Sequence, residues 1–240
     1  MGTPTRFTYG IATVAKGTPL GSYPLPDPFH STSDSNLDVT TYANDFFTLG
    51  TTTNDWTITG TSSTFAVTNG VGGLALITPG GTTTVTTVAA SHESFQFVSG
   101  QKFWYLCRIA ASAVAGNVAF QFGLENGTGA SPTDGIWFVK AAASTSLNLV
   151  SRVNGTSTTL VTGVATASAG AYLDVAFYFD GTDLLVYSAD NLVARVTAPT
   201  IGSTGTTLTN AVLGPLFQIT PTATDTLTID YVLAAQETSR

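Results

Sequence analysis

Hydrophobic and polar residues alternate along most of the chain in short runs, a pattern typical of β-strands with one buried face. No segment combines a 3.6-residue period with the length of a helix, so no helix is predicted. The predicted strands are Trp56–Thr59, Thr64–Thr68, Gly73–Ile77, Glu93–Phe97, Lys102–Ile109, Val118–Leu124, Gly135–Lys140, Ser146–Val153, Ser157–Val161, Ala171–Phe179, Leu184–Tyr187, Leu192–Val196, Pro215–Thr220 and Thr226–Leu233.

Residues that favour tight turns separate these runs. Asn69-Gly70 and Asn154-Gly155 lie between pairs of predicted strands, and Asp180–Asp183 separates another pair. Asn-Gly pairs are strong signals for hairpins, which join antiparallel neighbours. The sequence therefore predicts an all-β fold, in which two antiparallel sheets pack face to face as a sandwich.

The N-terminal segment has a different composition. Residues 1–35 contain five of the ten prolines, and Tyr23–Phe29 has a proline at every second position. Proline fixes an extended backbone and excludes a helix. We expect a proline-rich arm over residues 1–36 and a β-sandwich domain over residues 37–240.

Three apolar side chains of this arm, Tyr23, Leu25 and Phe29, would be wasted in water. An extended segment can lie in a groove on a partner or add a strand to the edge of its sheet. We therefore predict that these three residues bind a partner. On this interpretation the arm contributes little to folding and much to assembly.

Charge excludes some classes of partner. Only 10% of the residues are charged, and the net charge is −7 with no cluster of Lys and Arg. Proteins that bind nucleic acid draw much of their affinity from cation–phosphate contacts, so no nucleic-acid partner is expected. Without a run of 18 apolar residues or an apolar leader, neither a membrane partner nor a signal peptide is expected.

Few residues are suited to catalysis. The two histidines, His30 and His92, form no metal-binding spacing and no triad with a nucleophile elbow. The three glutamates are widely separated along the chain, and no motif pairs two carboxylates as glycoside hydrolysis requires. We therefore predict that the chain is not an enzyme and has no catalytic residues.

Acidic loops are the remaining candidates for a cation. Asp180, Asp183 and Asp190 surround one hairpin, and Glu125, Asn126 and Asp134 lie around one loop. Asp is common in turns because its side chain bonds the local backbone, and no EF-hand spacing is present. We expect no metal and no cofactor, although these loops remain the place where a structural cation would bind.

The tryptophans and the single cysteine are predicted to be in the core. Trp56, Trp104, Trp137 and Cys107 all lie in apolar runs. A carbohydrate-binding surface would need exposed aromatic rings instead. Cys107 is expected to act as a small hydrophobic residue.

Several segments resemble the concanavalin-like jelly-roll structural proteins of tailed phages and environmental viruses. The matching segments are Phe120–Leu124, Asp134–Phe138, Tyr172–Gly181 and Leu227–Val232, and the resemblance spans about residues 40–236. It implies a virus structural protein of the head-decoration or cement type, on the outer surface of the capsid, after assembly in the host cytoplasm. The implied partners are the major capsid protein and further copies of the chain, with a trimer favoured by capsid symmetry.

Two other functions remain open from the sequence. One is a carbohydrate-binding, lectin-like module of a phage tail or host-recognition device, and the other is a degenerate sandwich glycosidase. A fold of this kind hosts several functions, so the fold alone does not separate them.

Overall fold

Two antiparallel sheets form the molecule in a computed structural model that describes residues 38–49, 55–70, 72–129 and 131–238. The first sheet includes the strand β1 (Asp38–Asn44), which pairs with the C-terminal strand Leu227–Thr238. In spatial order the rest of the first sheet is β13 (Asn191–Val196), β12 (Leu184–Ser188), β11 (Tyr172–Phe179), β6 (Phe103–Ala111), β17 (Leu227–Thr238), β4 (Leu74–Thr78) and β3 (Thr64–Thr68).

The second sheet has seven strands, and a short parallel pair belongs to neither of the large sheets. The second sheet runs β10 (Thr156–Thr166), β9 (Ser146–Val153), β8 (Gly135–Lys140), β7 (Ala119–Glu125), β16 (Gly214–Thr220), β5 (Thr86–Ala90) and β2 (Trp56–Thr59). The parallel pair is β14 (Ile201–Gly202) with β15 (Leu208–Thr209). The described residues contain no helix, which confirms the predicted all-β sandwich.

The core lies between the two inner faces. Along each central strand every second side chain points inward, because successive side chains of a strand alternate between its faces. Phe177 of β11 lies near the middle, and its ring packs against Phe103, Tyr105 and Phe138 at centroid distances of 5.1 to 6.1 Å. Such aromatic pairs stabilise a core beyond the area that they bury.

Most predicted strands are present, but two predictions about the strand pattern are wrong. Glu93–Phe97 is a loop that makes a single bridge, from Phe95 to Leu213, although Phe95 and Phe97 are buried. The strands β1, β5, β14 and β15 were not predicted. The alternation in Glu93–Phe97 therefore reports buried side chains rather than a paired strand.

Cys107 and Trp56 lie in the core as predicted. Burial raises the pKa of the Cys107 thiol, which keeps it neutral. The described residues contain no helix that is long and apolar enough to cross a membrane.

Candidate functional site

The outer face of the first sheet, turned away from the second sheet, carries an apolar cluster separate from the core. We call this cluster the aromatic face. Its members come from four neighbouring strands: Trp104 and Leu106 of β6, Ala176 and Tyr178 of β11, Tyr187 of β12, and Leu233 and Ala235 of β17.

Strand register explains why these side chains meet. β6 and β11 are paired so that Trp104 lies opposite Tyr178, on the same face of the sheet. Their rings stack at a centroid distance of 5.2 Å, and the two residues are 3% and 6% exposed. Burial also raises the pKa of Tyr187 to about 12, so its hydroxyl stays protonated at neutral pH.

One polar atom of the aromatic face is unsatisfied. The indole Nε1 of Trp104 is buried, and it has no hydrogen-bond partner among the described residues. An unpaired buried donor costs about 1–3 kcal/mol, so natural proteins rarely leave one without a reason. The aromatic face thus combines stacked rings with a donor that has no acceptor.

A polar rim borders the aromatic face where β6, β11 and β17 continue. The guanidinium of Arg108 donates to Asp230 at 2.6 Å and lies 4.3 Å from the ring centroid of Tyr172. The hydroxyl of Tyr231 donates to Asp174 at 3.2 Å. The groups of this rim therefore satisfy one another.

The outer face of the second sheet carries a different feature, a buried carboxyl group. Glu125 at the end of β7 is 1% exposed, and neither carboxyl oxygen has a hydrogen-bond partner among the described residues. Burial and, to a smaller extent, the nearby charge of Glu93 together raise its pKa to about 9. Glu125 is therefore a neutral acid at neutral pH.

Two glycines make room for the groups that cover Glu125. Its partners on the neighbouring strands are Gly135 of β8 and Gly214 of β16. A Cβ at Gly135 would lie 2.3 Å from Cζ3 of Trp137, and a Cβ at Gly214 would lie 2.9 Å from the carbonyl oxygen of His92. The Trp137 ring and the backbone of the loop at His92 therefore lie against the two strands that flank Glu125.

The loop that carries His92 also brings in the second carboxyl group. Glu93 accepts a hydrogen bond from the backbone N–H of Gly127, two residues after Glu125. We call Glu93 and Glu125 the carboxyl pair. The expectation that the glutamates are too widely separated to act together is wrong for these two.

A cavity of about 520 Å³ lies beside the same loop, in the size range of ligand pockets. His92, Ser94 and Phe95 line it on one side, and β1 lines it on the other. Its wall also includes Asp55 and Trp56. The carboxyl pair and this cavity therefore share one loop.

The remaining candidates from the sequence are the residues of the arm and the two acidic loops. Tyr23, Leu25, Phe29 and His30 lie outside the described residues, so their predicted roles stay predictions. Asp180 accepts hydrogen bonds from the N–H groups of Thr182 and Asp183, and Asp183 pairs with Arg195.

The carboxylate of Asp134 in the second acidic loop also has hydrogen-bond partners. Asp134 accepts hydrogen bonds from Asn154 and Thr209, and these bonds hold its pKa below the usual range against the opposing effect of burial. The described residues contain no group of three or more ligands that could hold a metal ion.

Two of the three tryptophans are not in the core between the sheets. Trp104 and Trp137 lie on the outer faces of the two sheets, whereas Trp56 is a core residue. The apolar run Phe103–Cys107 concealed this difference, because side chains on both faces of β6 are hydrophobic. All three are buried, as predicted, but only Trp56 lies in the core between the two sheets.

No family model matches the chain, and no curated protein matches it. Solved structures do. An endo-1,3-β-glucanase from Streptomyces sioyaensis is 12% identical, with a TM-score of 0.59, over 87% of this chain and 100% of its own. A β-glucanase from Bacillus licheniformis is 12% identical, with a TM-score of 0.57, over 83% of this chain and 98% of its own.

A third similar structure comes from a bacteriophage. It is described as the conserved carbohydrate esterase vb_24B_21 of the Shiga toxin-encoding phage phi24B. It is 16% identical, with a TM-score of 0.50, over 78% of this chain and 92% of its own. At these identities the likeness shows the fold, a concanavalin-like jelly roll, as the sequence predicted.

These comparisons bear on two predictions, the absence of enzyme activity and the resemblance to phage structural proteins. The prediction that the chain is not an enzyme is wrong, because the solved structures that share its fold include glucanases. That prediction also relied on unpaired glutamates, whereas Glu93 and Glu125 interact. The resemblance to phage structural proteins is confirmed for the jelly-roll fold, and its viral part is a proposal.

Proposed function

We propose that this chain is a structural protein of a tailed-phage particle, which decorates or cements the outside of the capsid through contacts between subunits. One edge of the sandwich supports the proposal. Among the described strands β10 is the last of the second sheet, and its eleven residues include no charged residue and no proline. Natural monomers usually protect a long edge strand with such residues, because an open edge pairs with other chains.

The open edge has a regular part and an interrupted part. Thr156–Thr159 pairs with β9 without interruption, whereas register shifts follow Thr159 and Val161. The side chains of Thr156–Thr159 are all exposed. Strand addition at this short segment would give main-chain hydrogen bonds to a neighbouring subunit, a known mode of assembly.

The experiment is mass spectrometry of purified virions, followed by binding of the purified full chain to particles that lack it. We expect the chain among the major virion proteins. We also expect Thr158→Lys to weaken binding to particles by about tenfold or more, because a charge on an edge strand opposes pairing. Thr64→Lys, on the exposed edge strand β3 of the other sheet, is the matched control. Absence from virions, or equal effects of the two substitutions, would contradict the proposal.

A second function is favoured by the carboxyl pair. We propose that the surface around Glu93, Glu125 and Trp137 recognises a glycan. A neutral acid near a second carboxyl group of different environment is the kind of pair that glycoside hydrolysis uses, and the exposed Glu93 brings this pair to the surface. The structural neighbours named as glucanases motivate the choice of β-glucans as the first ligands.

Binding and cleavage are separated by one substitution. A glycan array identifies a ligand, and Glu125→Gln keeps the shape of the side chain while it removes the acid. If the site cleaves glycans, the substitution abolishes product release and retains binding. If the site only binds them, wild type yields no reducing ends and the substitution leaves affinity nearly unchanged. An array without a ligand for the wild-type chain would contradict this second function.

A further inference from the structure

The aromatic face is closed to water, although none of the described strands packs on it. The described strands of the second sheet pack on the opposite face of the first sheet, against the core. Even so, Trp104, Tyr178 and Tyr187 are almost wholly buried. A monolayer of side chains on one sheet does not shield its own rings, so the face fits a partner segment that lies across it.

The chemistry of the face selects the kind of partner. Grooves lined by aromatic rings bind proline-rich segments in the polyproline conformation, which loses little entropy on binding. The polyproline conformation has no internal hydrogen bonds, so its carbonyl groups are free to accept. The unpaired Nε1 of Trp104 is a donor that such a carbonyl satisfies.

The chain itself contains a matching segment. Tyr23–Phe29 places Tyr, Leu and Phe around three alternating prolines. The described chain begins at Asp38 in β1, and the next residue, Val39, packs against the aromatic face. The chain therefore enters the described fold at the border of this face.

The distances are compatible. Phe29 precedes Asp38 by nine residues, which reach about 30 Å when extended. From β1 across β17, β6 and β11 to β12 the face spans four inter-strand spacings, about 19 Å in all. The segment can therefore reach every strand of the face without leaving its own subunit.

We propose that the aromatic face is the docking site for the proline-rich segment Tyr23–Phe29 of the same chain. The Tyr, Leu and Phe side chains contact the rings of Trp104, Tyr178 and Tyr187, and a carbonyl group of the segment accepts the hydrogen bond of Trp104. On this proposal the arm is a third layer of the sandwich rather than a free tail. It does not depend on the proposed function.

The test uses the full chain labelled with 5-fluorotryptophan, whose three fluorine resonances are assigned by single Trp→Phe substitutions. Tyr23→Ser, Leu25→Ser and Phe29→Ser are combined in one variant. Phe7→Ser, Tyr9→Ser and Ile11→Ser, combined in another, remove as many apolar side chains from the same arm. We expect the first variant to shift the Trp104 resonance and expose it to a quencher, with the Trp56 and Trp137 resonances unchanged. We expect the control to change none of the three.

A synthetic peptide of residues 21–31 then restores the shielding of Trp104 in the first variant. In that variant Trp104→Phe lowers peptide affinity about fivefold, the loss expected for one hydrogen bond. Circular dichroism confirms that each variant is folded. An unchanged Trp104 resonance in the folded first variant overturns the proposal.

Dilution of the wild-type chain separates its own arm from that of a neighbour. Docking within one chain is independent of concentration, so we expect the Trp104 resonance to stay constant on dilution. Exposure of Trp104 on dilution, together with a fall in mass by light scattering, overturns the proposal in favour of an arm exchanged between subunits.

Discussion

The outer faces of the two sheets are both shielded from water, but by different kinds of groups. On the first sheet, rings and aliphatic side chains from four strands pack together around Trp104. On the second sheet, Trp137 and the His92–Glu93 loop lie against the strands that flank one acidic side chain, Glu125. The first face offers apolar contact area, which suits a docked segment, whereas the second holds a titratable group in a protonated state.

The comparison teaches that burial on an outer face has two distinct energetic consequences. Buried rings stabilise the fold at every pH. A buried carboxyl group destabilises the fold as it ionises, because burial disfavours the charged form. Substitutions at Trp104 and at Glu125 should therefore differ in how their effect on stability depends on pH.

The largest loss of stability is expected from a substitution on the outer face of the first sheet. Trp104→Ala removes the ring that stacks on Tyr178, and we expect it to lower the free energy of unfolding by about 3–5 kcal/mol. The loss should be the same at pH 5 and pH 8, because no nearby group of the aromatic face titrates in that interval. Urea denaturation at the two pH values measures it, and a loss below about 1 kcal/mol would show that the face is not packed.

The second-largest change in stability is expected from a substitution of Glu125 on the second sheet. The pKa of Glu125 is raised to about 9 from an ordinary value near 4.5, so its contribution is fully present below pH 4.5 and is lost as pH rises through 9. Glu125→Gln cannot ionise, and we expect it to be more stable than wild type by about 2 kcal/mol or more at pH 9.5. At pH 4 the two proteins should be nearly equal.

Glu93→Gln is the companion variant for this pH dependence. It removes the neighbouring charge that raises the pKa of Glu125, so the loss of stability should be complete at a lower pH than in wild type. We expect a lower pKa, and therefore a smaller total penalty at pH 9.5. Thermal melts from pH 4 to 9.5 record both variants.

The smallest change in stability is expected from a substitution in the polar rim. Arg108 pairs with Asp230, but 39% of the Arg108 side chain is exposed. Exposed ion pairs contribute little, so Arg108→Met should change the free energy of unfolding by less than about 1 kcal/mol. A larger loss in urea denaturation would mean that the rim, and not the aromatic cluster, stabilises this face.

The sequence predicted the strands and the sandwich well, because alternation is a local property. Tyr172–Phe179 illustrates this, since its inward and outward residues differ in hydrophobicity at one end. The pattern fails in Phe103–Cys107, which is apolar on both faces, so the outward position of Trp104 could not be predicted. It also fails in Glu93–Phe97, where buried rings occur without a paired strand.

The candidate site was less predictable for a different reason. Glu93 and Glu125 are 32 positions apart, and they meet only because a loop packs over Gly214, which β16 brings beside β7. No spacing in the sequence reports a contact that depends on the order of strands in a sheet. The glycines opposite Glu125, Gly135 and Gly214, are the one signal that it left, as places where something approaches the backbone closely.

Analytical ultracentrifugation of the purified full chain tests most directly the central claim, that the chain assembles through its open edge. We expect the wild type to sediment as a defined oligomer and Thr158→Lys in β10 to sediment as a monomer. Thr64→Lys in β3 should sediment like the wild type. A wild type that is monomeric at every concentration, or an oligomer that Thr158→Lys leaves intact, would contradict the claim.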